Sequence, residues 1–126
     1  MFRRMFLAAA IAAAASPGWA QAVRLTAAEI EALLSGNTIR GTWNGDLYKQ
    51  FFSASGRTIY APRHSRSTAG KWRVNPETDS YESWWEMSGW AAYGIIRDGD
   101  ALFWTTESGP PQPFEVLPGE QLAWTE

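Results

Sequence analysis

The chain contains no cysteine and a single histidine, His64. The first absence removes thiol nucleophiles, thiolate metal ligands and disulfides, so a folded domain must rest on its core alone. His64 sits in a polar loop with no nucleophile on a strained turn beside it, and carboxylates do not cluster at metal-ligand spacing. The residues therefore point to no cofactor, no metal and no enzyme. Long apolar runs are scarce too. After Ala15 none approaches the roughly 20 residues that a membrane-spanning helix needs, so residues 23–126 are not expected to span a membrane.

Charge of one sign is missing or nearly so from each of two successive stretches of the chain. Between Leu47 and Pro76 there is no acid, while Lys49, Arg57, Arg63, Arg66, Lys71 and Arg73 are basic. From Glu77 onward Arg97 is the only basic residue. A bipolar chain with net charge −2 lacks the continuous basic footprint that nucleic acid requires, so no nucleic-acid partner is expected.

What is present begins at the N-terminus. Arg3-Arg4, the apolar run Met5–Ala15, the break Ser16-Pro17-Gly18 and the small residues of Ala20-Gln21-Ala22 have the order of a secretory signal peptide. Residues 1–22 are read as that signal, cleaved near Ala20 or Ala22, and residues 23–126 as one periplasmic or secreted domain. Arg3-Arg4-Met5-Phe6-Leu7 also fits a twin-arginine signal, although the very short region before the pair favours the general secretory route.

Thr26-Ala27-Ala28-Glu29 is a capping box, with Leu25 and Ile30 placed for a hydrophobic staple. Ile30, Leu33 and Leu34 form one stripe, and Gly36-Asn37 supplies the stop. The period then changes to alternation. Strands are expected over Thr38–Trp43, Leu47–Ser53, Arg57–Ala61, Gly70–Asn75, Ser80–Ser88, Trp90–Arg97, Asp100–Thr106, Phe114–Leu117 and Gln121–Trp124, with a polar loop over Pro62–Ala69. Turn signals at this spacing describe a mainly β protein: one short N-terminal helix, then an antiparallel meander of about eight strands, barrel or sandwich.

Asp98-Gly99 as a two-residue turn would set Arg97 against Asp100, Tyr93 against Trp104 and Phe103 over Gly94. In Ser80–Ser88, alternation puts Tyr81, Ser83, Trp85 and Met87 on one face and Glu82, Trp84, Glu86 and Ser88 on the other. Pairing with the preceding strand would bring Lys71 and Arg73 against the acids.

Three constellations could carry function. Arg63, His64 and Arg66, within Pro62–Thr68, could grip an anion or simply be solvated. Trp84 could be a binding platform, or lie under Lys71 or Arg73 as a cation–π partner. Glu82 and Glu86 could serve a hydrolase, but the neighbouring basic strand favours salt bridges.

The order from Leu25-Thr26-Ala27-Ala28-Glu29-Ile30 through Gly41-Thr42-Trp43, Gly70-Lys71-Trp72-Arg73-Val74 and Arg97-Asp98-Gly99-Asp100 resembles a family of small exported bacterial proteins of unknown function. That resemblance implies a helix followed by a β-meander. Members often carry a cysteine pair in the later strands, which this chain lacks. Gly41-Thr42-Trp43 after a short helix also resembles the lipocalin and avidin barrels. This implies an eight-stranded barrel with an apolar ligand cavity, and a basic residue of a late strand over the Trp, for which only Arg97 could serve.

The expected function is a non-enzymatic periplasmic module. It would bind a small apolar ligand beside Tyr93 and Trp104, or an envelope protein or ligand against Trp84. The alternative is an inhibitor or accessory subunit of an envelope enzyme, acting through Arg63, His64 and Arg66. An open interior marks the first; a filled core with a protruding loop marks the second.

Overall fold

In the computed structural model, which describes residues 22–125, the capping box closes as its sequence dictates. The Thr26 hydroxyl accepts from the Glu29 amide at 3.2 Å, and the Thr26 amide donates to the Glu29 carboxylate at 2.8 Å. Helix α1 (Ala27–Leu34) follows. It ends where Gly36 takes a φ of 79°, while Asn37 opens the next strand and its side-chain amide donates to the Leu33 carbonyl. The segment read as an export signal lies, apart from Ala22, outside the described residues.

The strands are β1 (Val23–Arg24), β2 (Asn37–Trp43), β3 (Asp46–Phe52), β4 (Arg57–Pro62), β5 (Thr68–Asn75), β6 (Ser80–Trp85), β7 (Gly89–Asp98), β8 (Ala101–Thr105) and β9 (Gln112–Leu117). From β2 to β9 each strand pairs antiparallel with the next, and β9 returns to pair with β2. The result is a closed eight-stranded barrel with β1 outside it, along the part of β7 that β6 leaves unpaired.

Closure depends on a glycine. A Cβ on Gly41 would stand 2.6 Å from the Pro113 carbonyl oxygen and 2.9 Å from the Phe114 Cβ, so only glycine lets β9 approach β2 this closely. The β2–β9 register stops at Gly41↔Phe114, next to Pro113, which has no N–H to extend the ladder.

Alternation assigns the interior. Ile39, Tyr48, Phe52, Trp72, Tyr81, Ile95, Trp104 and Phe114 form the core with Leu25, Ile30 and Leu34. Helix α1 packs beside β2, β5 and β6 and covers the end of the barrel that holds the β3–β4, β5–β6 and β7–β8 turns. Two polar ties fix it there. The Ala27 amide, one of the unpaired donors of the helix N-terminus, donates to the Asp79 carboxylate at 2.8 Å. Arg24 crosses β7 at Gly94 to reach the Thr78 and Asp79 carbonyls at 3.3 and 3.1 Å. A Cβ on Gly94 would fall 2.4 Å from that guanidinium.

Four expectations need correction. The β7–β8 turn is Gly99-Asp100, so Asp98 faces Ala101, Arg97 faces Leu102 and Ile95 faces Trp104. Gly99 takes a φ of 63° at the first central position, where type II′ turns place glycine. Moving the turn by one residue shifts the pairing by two, so every side chain keeps its face. Gly94 lies opposite Thr105 and under Arg24, not under Phe103.

Strand β6 stops at Trp85, and Glu86, Met87 and Ser88 form the turn to β7. Gln121–Trp124 is not a strand. Both edges of β2 are already taken by β3 and β9, so the tail is held by side chains instead. Thr38 Oγ1 donates to the Gly119 carbonyl and accepts from the Gln121 amide, Lys49 Nζ donates to the Ala123 carbonyl, and the Trp124 indole donates to the Ala61 carbonyl.

Gly41→Ala is expected to lower stability by about 1–3 kcal/mol, the usual range for forcing extra volume into a packed site. Urea unfolding should show a lower midpoint at constant slope. An unchanged midpoint would mean that β9 can retreat from β2 without loss, and that closure does not hinge on this glycine.

Candidate functional site

In an antiparallel barrel alternate connections share an end. Opposite α1 lie the β2–β3 turn, the 63–67 loop between β4 and β5, the 86–88 turn and the β8–β9 loop. The interior is filled near the helix and open near this second end. A cavity of about 310 Å³ lies there, at the lower limit of the ~300–1,000 Å³ typical of small-molecule sites.

The walls follow from which inward positions the strands supply. Strand β3 gives Tyr48 and Gln50, β6 gives Tyr81, Ser83 and Trp85, and β7 and β8 give Tyr93 and Trp104. Trp43, Tyr60 and Thr68 complete the lining nearer the mouth. Seven of these ten residues are aromatic and none is charged. Gly70 makes one wall possible, since a Cβ there would lie 2.7 Å from the Trp85 ring.

The rings support one another. Tyr81 contacts Trp104 at 4.8 Å and Phe52 at 5.7 Å between centroids, Tyr48 stacks on Tyr60 at 5.0 Å, and Trp43 meets Tyr93 edge-on at 5.6 Å. Polar groups are knit into the same layer. The Trp104 indole donates to the Tyr48 hydroxyl at 3.0 Å, and the Trp85 indole to the Ser83 hydroxyl at 3.1 Å. Gln50 Nε2 donates to Thr58 Oγ1 at 2.9 Å and to the Tyr81 hydroxyl at 3.2 Å.

Burial pushes the phenols of Tyr48 and Tyr81 far above their ordinary range, only partly offset by hydrogen bonding with Trp104 at Tyr48 and with Ser83 and Gln50 at Tyr81. Burial also raises Tyr60, with the nearby Asp46 charge adding to it.

The residues picked out from sequence divide between inside and outside. Tyr93 and Trp104 line the cavity, their rings 6.3 Å apart. Trp84 is on the outer face, with Lys71 Nζ 5.0 Å from its ring centre. Arg73 bonds Glu82 at 2.6 Å and lies 3.8 Å from the ring of Trp90. Its bond, with one from Asn75, holds the Glu82 carboxyl below the ordinary carboxylate range. Arg63, His64 and Arg66 belong to the loop at the open end, where Arg63 lies 5.7 Å from the Trp124 ring centre. Arg97 lies at the helix end of β7 opposite Leu102, whereas Trp43 is at the open end. The ring meeting Trp43 is therefore Tyr93, not a basic side chain.

Sequence reasoning did not single out Tyr48, Gln50, Tyr60 or Trp43 as a site. Their signal was the alternation Tyr48-x-Gln50-x-Phe52, which marks an inward face without saying that the space before it is empty. Among the described residues no group of three or more His, Asp or Glu side chains could hold a metal ion, and no helix is long and apolar enough to cross a membrane. Comparison of the chain with protein-family models, with curated proteins and with solved structures gives no match.

The phenols make the layer testable. Unfolding returns Tyr48 and Tyr81 to the ordinary value of 10.0, so above that pH the unfolded chain releases these protons first and stability falls as pH rises. An alkaline titration followed by ultraviolet absorbance should show both ionising only as the fold is lost. Tyr48→Phe should remove amplitude from that late step. Ionisation of Tyr48 in the still-folded protein near its ordinary value would show that it is not sealed.

Proposed function

We propose that this protein is a non-enzymatic binding module that carries a small, largely apolar ligand inside its barrel, in the periplasm. The observation that carries the reading is the uncharged, aromatic-lined cavity at one end of an otherwise filled interior. Such walls offer dispersion and the removal of apolar surface from water, on the order of 25 cal/mol per Å². Gln50 bonds Thr58 and Tyr81, and Trp85 bonds Ser83, so the layer is held in place before a ligand arrives, and ordering it on binding adds little.

The plan of the chain supports the same reading. A short helix at one end of a closed eight-stranded meander is, in outline, the arrangement of the lipocalin and avidin barrels. An inhibitor acting through Arg63, His64 and Arg66 would need no interior space. A hydrolase using Glu82 would need that carboxylate free, whereas Arg73 and Asn75 hold it on the outer face.

Native mass spectrometry of the protein, purified without refolding from the organism that makes it, tests the reading. The expected result is a reproducible adduct of small-molecule mass that leaves on denaturation. Ser83→Leu, which fills the cavity from β6, should abolish the adduct while circular dichroism shows the β fold retained. A clean apo mass from the native source, or an adduct indifferent to Ser83→Leu, would count against a ligand in this cavity.

A further inference from the structure

We infer that the cavity selects a neutral, flat ligand bearing hydrogen-bond acceptors, of the quinone or aromatic-ketone kind. The inference deepens the ligand-binding reading and rests on it. Its basis is the direction in which the protons of the lining must point.

An indole N–H can only donate, whereas a hydroxyl has one proton to give and lone pairs to receive. Trp104 donates to the Tyr48 hydroxyl, so that oxygen is an acceptor already, and its own proton has no acceptor among the described residues. Gln50 donates to the Tyr81 hydroxyl and Trp85 to the Ser83 hydroxyl. A bond between Tyr81 and Ser83 would use only one of their two protons, whichever way it pointed. The other proton is left over.

Gln50 cannot turn to absorb both. Thr58 Oγ1 donates to the Phe51 carbonyl, so toward Gln50 it can only accept, and the amide nitrogen must face it. With both N–H groups of that amide in use, its carbonyl oxygen is the one fixed side-chain acceptor left to the cavity. The lining therefore presents two hydroxyl protons that are not donated to any group among the described residues, before Tyr60 and Tyr93 are counted, whose hydroxyls can serve either way.

The absence of charge among the lining residues completes the selection. A carboxylate entering here loses its hydration and meets no cation. An ammonium ion finds aromatic faces but also hydroxyl protons turned toward it. A carbonyl oxygen on a flat, uncharged body satisfies the surplus protons and stacks on the walls.

Isothermal titration of the purified protein with four bicyclic probes tests this: 1,4-naphthoquinone, naphthalene, 1-naphthoate and 1-naphthyltrimethylammonium. The chain has no thiol to add to the quinone. The quinone is expected to bind about tenfold more tightly than naphthalene, the worth of one to two net hydrogen bonds, and more tightly than either charged probe. Tyr48→Phe should remove most of the quinone's advantage and leave naphthalene binding unchanged. Tyr48→Phe strands the Trp104 N–H and Ser83→Ala, the second variant, strands that of Trp85 instead, so the comparison of probes on the unaltered chain, which needs neither, carries the test. Equal binding of quinone and naphthalene, or preference for a charged probe, overturns the inference while leaving a ligand cavity intact. Binding of none of the four sinks the inference and the ligand reading together.

Discussion

The seam between β2 and β9 is the contact on which the rest of the molecule depends. Every other strand pair within the barrel joins neighbours in sequence, and local turns can form those pairs one by one. Only β9 on β2 converts a meander into a barrel, and only a residue without a Cβ at position 41 allows it. Once the sheet is closed, inward side chains of eight strands face a common interior of fixed girth, just wide enough to be filled by side chains or to hold one small ligand. The aromatic residues then stop being interchangeable apolar bulk. Those near α1 meet Ile30 and Leu34 and pack solid, and those at the far end pack on one another around an open space.

The helix decides which end is filled. A helix of eight residues is marginal alone, and here its stripe has the barrel as its only cover. The tie through Asp79 also explains an unusual backbone position. Asp79 is one of two non-glycine residues among those described that hold positive φ, at 50°, and in that conformation its carboxylate accepts from the helix N-terminus while its carbonyl receives Arg24. Strain of this kind persists where the surroundings over-determine it.

Local rules in the sequence were enough for the helix, its cap, the order of strands β2 to β9 and the inward face of β6, because each rests on spacing within a few residues. The register of the β7–β8 hairpin was not, because Asp98-Gly99 and Gly99-Asp100 are both good two-residue turns. The observed register, in which Ile95 faces Trp104, keeps every side chain on the same face as the other, so alternation does not separate them either. The tail was misread for a different reason. Gln121–Trp124 alternates as a strand should, but pairing needs a free edge, and whether β2 has one depends on a contact about eighty positions away, of the kind Thr38 makes with Gly119. The cavity was least legible of all. Tyr93 and Trp104 could be placed on one face, but an empty interior is a property of the closed girth and of how far the helix reaches in, neither of which any window of sequence contains.

The charge asymmetry along the chain finds its explanation in the same geometry. The basic stretch covers β3 to β5 and the acidic stretch begins before β6, so antiparallel pairing sets one against the other at a single seam, Arg73 to Glu82. Other basic side chains lie over indole rings, and Arg40 also stands opposite Glu115 across β2 and β9. Lys71 lies over Trp84, and Arg40, Lys49 and Arg63 lie 5.8, 4.6 and 5.7 Å from the centre of the Trp124 ring. Indole faces and carbonyl oxygens are the anionic surface that an acid-free stretch can still reach. Lys49, only 8% exposed on the outer wall, would be an unpaired buried charge without the Ala123 carbonyl and that ring. The tail therefore does for β3 what Glu82 does for β5, and it does so from outside, leaving the interior free of charge.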